Sequence, residues 1–256
     1  MHLSAEFFNR WYIGAFLVVW GASLIVRRRS LNDIRDNFDD DGRPGIKAVA
    51  ERRQRLEARP LATWYVTGGC SIALGIAALA GVLNGGLAYA LSCTLLVSML
   101  TAGYLRMRNA GPRRAAPLAP RRPGSFIPWP WYPIGVLAGL TPLAFLDVPS
   151  QRLAAALVTL SAFAIMALAI RAEGMAALLT GDDVDLELYV DDRLRRLRVN
   201  ALWTIGMVVP FVYVVMTGVG LNATLFQVIV SYFDFIAALA RLWPQLVCMV
   251  RRLART

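Results

Sequence analysis

Long apolar stretches recur along this chain, and they constrain its fold more than any other feature. About twenty apolar residues in a helix span the ~30 Å hydrocarbon core of a bilayer, and 57% of the residues here are apolar. Seven segments approach that length, at 8–26, 61–83, 87–105, 126–146, 153–170, 201–219 and 221–240. The sequence therefore predicts an all-α fold, a polytopic transmembrane helical bundle of about seven spans.

Lysine and arginine residues lie almost entirely on one side of these spans. Of the 27, all but Arg10 and Arg152 fall in four alternate segments, 27–62, 106–125, 171–200 and 241–256. The positive-inside rule places those segments in the cytoplasm and the N-terminus outside. Membrane lipids thus account for the net charge of +10, and nucleic-acid binding is not expected. The predicted location is the cell (inner) membrane, as a multi-pass protein.

Two halves of the chain share a layout. In each, about 8–107 and 150–253, an acidic and then a basic segment separates the first two spans. Both halves cross the membrane in the same order, so the pattern predicts a parallel pseudo-repeat with the span 126–146 as linker. Residues 1–256 then form a single integral membrane domain, and its two acidic segments face each other at the cytoplasmic mouth.

Carboxylates cluster directly after the first span. Asp33, Asp36 and Asp40 are spaced i, i+3, i+7, so on a helix they share one face. Carboxylates this close repel one another unless a cation neutralises them, and Mg²⁺ usually binds one or two carboxylates together with phosphate oxygens. Three nearby cations suit the remaining phosphate charge, namely Arg43, Lys47 and Arg59. The alternative is a solvated acidic loop that balances the neighbouring arginines.

The second acidic segment has a similar spacing. Asp183, Glu187 and Asp191 are spaced i, i+4, i+8, again one helical face. If both segments hold Mg²⁺ against one phosphate group, their carboxylates converge to on the order of 10 Å, given Mg–O bonds of ~2.1 Å. Other chemistry has little support, because His2 is the only histidine and the three cysteines form no CxxC. Zinc sites and Ser-His-Asp catalysis are therefore not expected.

A longer pattern surrounds the first cluster. The stretch "NDIRDNFDD" reads Asn32-Asp33-x-x-Asp36-x-x-x-Asp40, and "RPLA" follows at 59–62, immediately before a span. This pattern resembles the NDxxDxxxD…RPLA signature of the UbiA family of membrane prenyltransferases.

Two further motifs extend the resemblance. "YLRMR" is similar to the family's Tyr-x-x-x-Lys stretch, with Tyr104 matched and Arg108 in place of the lysine. The family's second motif is DxxxD, and the match here is Asp183-x-x-x-Glu187. The resemblance covers roughly residues 10 to 110 by motif and the rest by topology.

The resemblance implies an activity. UbiA-type enzymes are helical bundles in which Mg²⁺ bridges two aspartate motifs to the diphosphate of an isoprenyl donor, and an acceptor, commonly aromatic and soluble in lipid, attacks the allylic cation. It implies catalytic roles for Asn32, Asp33, Asp36 and Asp40. It implies substrate contacts from Arg43, Lys47, Arg59, Tyr104 and Arg108. The implied metal ligands are Asp33, Asp36, Asp40, Asp183 and Glu187.

Two other functions stay open. A parallel repeat around a linker helix is also a layout of small-solute transporters, although the spans contain only one or two ionisable residues, which weighs against coupled transport. Asp234 in the last span is either a functional residue or a carboxylate with an internal partner. The glutamate in the second motif is compatible with a non-catalytic, UbiA-like scaffold that keeps the fold and loses the metal.

Overall fold

A computed structural model describes residues 5–26, 45–57, 61–109, 126–175 and 183–218. Seven α-helices follow one another in these ranges: α1 (Ala5–Val26), α2 (Ile46–Glu57), α3 (Leu61–Leu79), α4 (Gly85–Asn109), α5 (Trp131–Leu140), α6 (Arg152–Glu173) and α7 (Val184–Gly218). A 3₁₀ turn, Thr141–Phe145, extends α5. These ranges contain no strand, so the all-helical prediction is confirmed for them.

Within the described ranges, four helices are long and apolar enough to cross a membrane. They comprise Ala62–Leu79, Gly85–Asn109, Arg152–Glu173 and Val184–Thr217. Two shorter apolar helices accompany them, at Arg10–Val26 and Trp131–Phe145. These lengths indicate a multi-pass integral membrane protein. The predicted span 221–240 and Asp234 lie outside the described residues.

The predicted span 126–146 is shorter in the structure than the sequence pattern suggests. Its helical part starts at Trp131, after Pro128 and Pro130. Proline has no amide hydrogen to donate and disfavours a helical conformation in the residue before it, so this stretch does not extend the helix toward Phe126. The apolar run was read correctly, whereas its helical length was not.

The two halves also differ in how their basic segments continue. Helix α7 runs unbroken for 35 residues, from the second acidic segment through the predicted span 201–219. In the first half, α2 and α3 are separate helices, and Pro60 stands between them in the sequence. No proline occurs between 184 and 209, so nothing interrupts the hydrogen-bond ladder of α7 before Pro210. Within the described residues, the two halves therefore differ in helix continuity.

Helices α1 and α3 pack antiparallel through paired glycines. Gly14 lies against Gly75 and Gly21 against Gly68. A Cβ atom on Gly68 would lie 2.7 Å from the carbonyl oxygen of Gly21, and one on Gly75 would lie 2.7 Å from that of Gly14. Small residues at this spacing let two membrane helices bring their backbones into contact, which replaces the missing hydrophobic driving force by van der Waals packing.

The bundle has two chemically different ends. At one end Arg10 donates to the carbonyl of Leu79 (3.4 Å), and Gly86 lies against Gln151. At the other end α2 packs on the start of α7, and the Phe126 amide donates to Glu173 (2.8 Å). The described lysines and arginines other than Arg10 and Arg152 lie at this second end, which we call the basic end. Between the ends, α1, α3, α4, α6 and α7 share one apolar core.

Candidate functional site

Helix α2 lies on the first turns of α7 at the basic end. Five buried apolar side chains form their contact, namely Ile46, Val49, Ala50, Val190 and Leu194. Helix α2 directly follows the first acidic segment, and α7 contains most of the second. The apolar contact therefore brings the start of α2 beside the second acidic segment.

Asp183 caps the N-terminus of α7. Its Oδ1 accepts a hydrogen bond from the Leu186 amide (3.0 Å), and its carbonyl accepts one from the Glu187 amide (3.1 Å). An acidic N-cap satisfies amides that a helix leaves unpaired and also interacts favourably with the helix dipole. Asp183 is exposed, so its carboxylate is open to a further ligand from solvent.

Glu187 is buried, although the sequence predicted a metal ligand there. Its side chain is 1% exposed, and Oε1 lies 3.4 Å from Nη1 of Arg52, whose own side chain is 49% exposed. A carboxylate taken out of water needs a counter-charge, and Arg52 supplies one. Binding of Mg²⁺ by Glu187 would require that Arg52 move aside.

Asp191 lies between two buried arginines. Its Oδ1 is 2.8 Å from Nη2 of Arg53 on α2, and its Oδ2 pairs with Nη2 of Arg195 one turn along α7. Arg195 also donates through Nη1 to the carbonyls of Glu173 and Met175. We call Arg53, Asp191 and Arg195 the arginine–aspartate triad. It joins α2, α7 and the C-terminus of α6.

The sequence interpretation placed Asp191 on the acidic face but did not assign the triad. The spacing of Asp191 and Arg195, i and i+4, is a signal of an intrahelical ion pair that sequence alone carries. Arg53 comes from 138 positions earlier in the chain, and no local pattern predicts that contact.

Glu173, at the end of α6, accepts hydrogen bonds from residues at and just before the start of α5. The buried carboxylate accepts hydrogen bonds from the Phe126 amide (2.8 Å) and the Tyr132 hydroxyl (3.5 Å). Arg195 donates to the backbone carbonyl of the same residue. Glu173 therefore links the triad to the start of α5 at the basic end.

The other predicted site residues fall into two groups. Lys47 is exposed on α2, and Arg108 is exposed near the end of α4. Tyr104 is half-buried in α4 and packs against a cluster of buried apolar side chains that includes Trp203. The remaining ones lie outside the described residues: Asn32, Asp33, Asp36, Asp40, Arg43 and Arg59. The structure thus brings Lys47 near the second acidic segment through the α2–α7 contact and leaves the first motif as a prediction.

Gly45 marks where the chain leaves the first acidic segment and enters α2. A Cβ on Gly45 would lie 3.5 Å from Cδ2 of Leu186, in the first turn of α7. Its φ of +82° is in the left-handed region that glycine adopts without strain. Position 45 is five residues beyond Asp40 in the sequence, and Asp40 itself lies outside the described residues.

The described residues contain no group of three or more histidine, cysteine or carboxylate side chains that could hold a metal ion. In the second acidic segment, Asp183 offers an open carboxylate, whereas Glu187 and Asp191 have arginine partners. A magnesium ion at this end would therefore depend on carboxylates from residues 33–40. Asp183 fits such a site without rearrangement, and Glu187 fits it only after Arg52 is displaced.

The chain was compared with family models, curated proteins and solved structures. No family model, no curated protein and no solved structure matches this chain. The similarity to UbiA-type enzymes therefore rests on the residues at 32–40, 59–62, 104–108 and 183–187.

Proposed function

We propose that this protein is a UbiA-type prenyltransferase that uses Mg²⁺ to transfer an isoprenyl group from an isoprenyl diphosphate to an acceptor within the membrane. The observation that supports the proposal best is the position of Gly45 against Leu186. Gly45 follows Asp40 by five residues in the sequence and lies beside the start of α7, which supports a site shared by the two acidic motifs.

Each set of residues has a role in this proposal. Asp33, Asp36 and Asp40 hold the metal with Asp183, and Mg²⁺ when bound stabilises the negative charge of the departing diphosphate. Three cations bind the diphosphate oxygens, namely Arg43, Lys47 and Arg59. The apolar bundle excludes water, which would otherwise capture the allylic cation. In the proposed orientation this end of the bundle faces the cytoplasm.

The ion pairs of α7 favour a second candidate function. Glu187 and Asp191 both form ion pairs with arginines. This is expected of a fold in which the second motif stabilises the structure and binds no metal. A non-catalytic membrane scaffold would keep the α2–α7 contact and the triad, and it would bind no diphosphate.

Binding of farnesyl diphosphate separates the two candidates. We expect purified protein in detergent to bind it with Mg²⁺ and to lose binding with EDTA, measured by calorimetry. Asp36→Asn should weaken Mg²⁺-dependent binding by about 100-fold or more, since loss of a group that merely orients a metal ligand costs roughly 10–100-fold. The matched control is Asp147→Asn, an exposed aspartate at the opposite end, which should bind as the wild type does.

Three results would contradict the proposal. Binding that EDTA leaves unchanged would indicate a metal-independent lipid or solute carrier. Absence of binding in a folded wild-type protein would favour the scaffold. Equal losses in the Asp36→Asn and Asp147→Asn variants would show that general negative charge, and not the motif, is responsible.

A further inference from the structure

A cavity of about 260 Å³ lies between α5 and α7 near the basic end. Pro128 and Trp131 line one wall, and Asn200, Trp203, Thr204 and Met207 line the other. Sites that enclose a whole drug-sized ligand measure roughly 300–1,000 Å³. This cavity is smaller, so it accommodates one part of a larger amphiphile whose remainder lies along the outside of the bundle.

Polar groups on α7 border the cavity, and the nearby indole nitrogen of Trp203 is buried beneath its surface. Trp203 is 5% exposed, and its Nε1 has no hydrogen-bond partner among the residues that the structure describes. A buried N–H without an acceptor costs on the order of 1–3 kcal/mol. Asn200 and Thr204 add an amide and a hydroxyl to the α7 wall. The lining is therefore apolar with a few polar groups, as in ligand sites generally.

A cation lies one turn above the cavity. Arg196, Asn200 and Thr204 are spaced i, i+4, i+8 and share a face of α7. The guanidinium of Arg196 lies 5.5 Å from the centre of the Phe126 ring, and its Nη2 is 3.4 Å from Asp192. The Arg196 side chain is 62% exposed and that of Asp192 is 38% exposed, so water screens this pair and leaves Arg196 able to attract an anion.

The surroundings are those of a membrane interface. The rings of Trp129 and Tyr132, and those of Tyr132 and Trp203, lie within contact of each other, and tryptophan and tyrosine concentrate at headgroup level. Below them Leu137 and Val208 are exposed apolar residues on α5 and α7. From the basic end inward, this face thus presents a cation, then polar groups, and finally apolar surface.

We propose that the α5–α7 cavity binds one anionic phospholipid. The lipid phosphate lies at Arg196, an ester carbonyl accepts a hydrogen bond from the Asn200 amide, and the acyl chains cover Leu137 and Val208. Anionic lipids are enriched in the leaflet that basic membrane-protein segments face, and the cavity lies near the basic end. Apart from the Arg196–Asp192 pair, this site uses no residue of the acidic segments, and it does not depend on the proposed transfer reaction.

Native mass spectrometry of the full-length protein tests the proposal with two probes, phosphatidylglycerol and phosphatidylcholine of identical chains. We expect one phosphatidylglycerol to remain bound, in preference to phosphatidylcholine. Arg196→Gln should reduce that preference about fivefold, the typical effect of one basic residue near an anionic surface. Arg55→Gln is the matched control, because it removes the same charge from an exposed site on α2 at the same end, and it should change nothing.

Two cavity variants keep the test independent of folding defects. Trp203→Phe keeps an aromatic ring but removes part of the cavity wall, so it should weaken retention of both lipids. Thr204→Leu starts from an exposed position and should block the cavity without disturbing the core.

Equal retention of both lipids by the wild type would overturn the proposal. The same loss in the Arg55→Gln and Arg196→Gln variants would also overturn it, as would full retention in the Thr204→Leu variant. Displacement of the lipid by farnesyl diphosphate would instead assign the cavity to the prenyl donor.

Discussion

Replacing Asp191 with asparagine should lower the free energy of unfolding by on the order of 3–5 kcal/mol, the usual cost of removing one partner from a buried ion pair. Arg53 and Arg195 are both buried, and Asp191 pairs with each of them. The substitution keeps the side-chain shape but leaves two guanidinium groups without this counter-charge. The melting temperature in mild detergent measures the effect, and α2 should become more susceptible to limited proteolysis.

The neighbouring aspartate supplies the control for this prediction. Asp192 pairs with Arg196 at 3.4 Å, and both side chains are substantially exposed. Exposed pairs contribute roughly 0–1 kcal/mol, so Asp192→Asn should leave the melting temperature close to that of the wild type. Equal effects of the two substitutions would show that the triad does not hold α2 on α7. A stable Asp191→Asn protein that had lost Mg²⁺-dependent binding would identify Asp191 as a metal ligand instead.

Adjacent glycines in α3 should respond to alanine with opposite signs. A Cβ on Gly68 meets the Gly21 carbonyl at 2.7 Å, whereas one on Gly69 meets nothing within 4 Å. Gly68→Ala should therefore destabilise the protein by about 1–3 kcal/mol, as overpacking does. Gly69→Ala should stabilise it by up to about 1 kcal/mol through helix propensity. Thermal unfolding of the two variants in the same detergent gives both values.

A double variant extends the glycine test. Gly21 and Gly68 face each other, so either alanine alone forces α1 and α3 apart. Once the helices have separated, the second methyl group costs less, and the Gly21→Ala/Gly68→Ala protein should lose less stability than the sum of the single variants. Strict additivity, or equal effects of Gly68→Ala and Gly69→Ala, would contradict the close antiparallel packing.

The sequence predicted the parts of this fold that depend on local apolar length. The spans 61–83, 87–105 and 153–170 correspond to α3, α4 and α6 with ends that shift by a few residues. The predicted length of α5 was wrong because clustered prolines prevent helix formation within an apolar run. The sequence did not predict that α7 is continuous, because a charged segment ahead of a span resembles a loop. The residues of that segment form a helix here, and the acidic face of the helix has buried arginine partners.

The helical spacing of the second acidic segment was predictable from the sequence, and its ion-pair partners were less so. Spacing alone put Asp183, Glu187 and Asp191 on one face of a helix, whereas a common end for both acidic segments stays a prediction from the order of the spans. Spacing along the sequence does not predict which arginine or lysine will pair with a given carboxylate. Arg52 and Arg53 reach Glu187 and Asp191 from 135 and 138 positions away, through apolar packing of α2 that brings together residues distant in the chain.

The distance from the bound metal ion to α7 tests the central claim, a metal site shared by both acidic segments. Mn²⁺ substitutes for Mg²⁺, and a nitroxide replaces the exposed Asp185 side chain through Asp185→Cys, with Cys70, Cys93 and Cys248 changed to alanine. With farnesyl diphosphate present, the Mn²⁺–nitroxide separation from paramagnetic broadening should be under about 20 Å, because a diphosphate bridges on the order of 10 Å. Asp36→Asn should abolish the broadening. A separation above about 20 Å, or broadening that survives Asp36→Asn, would contradict a shared site.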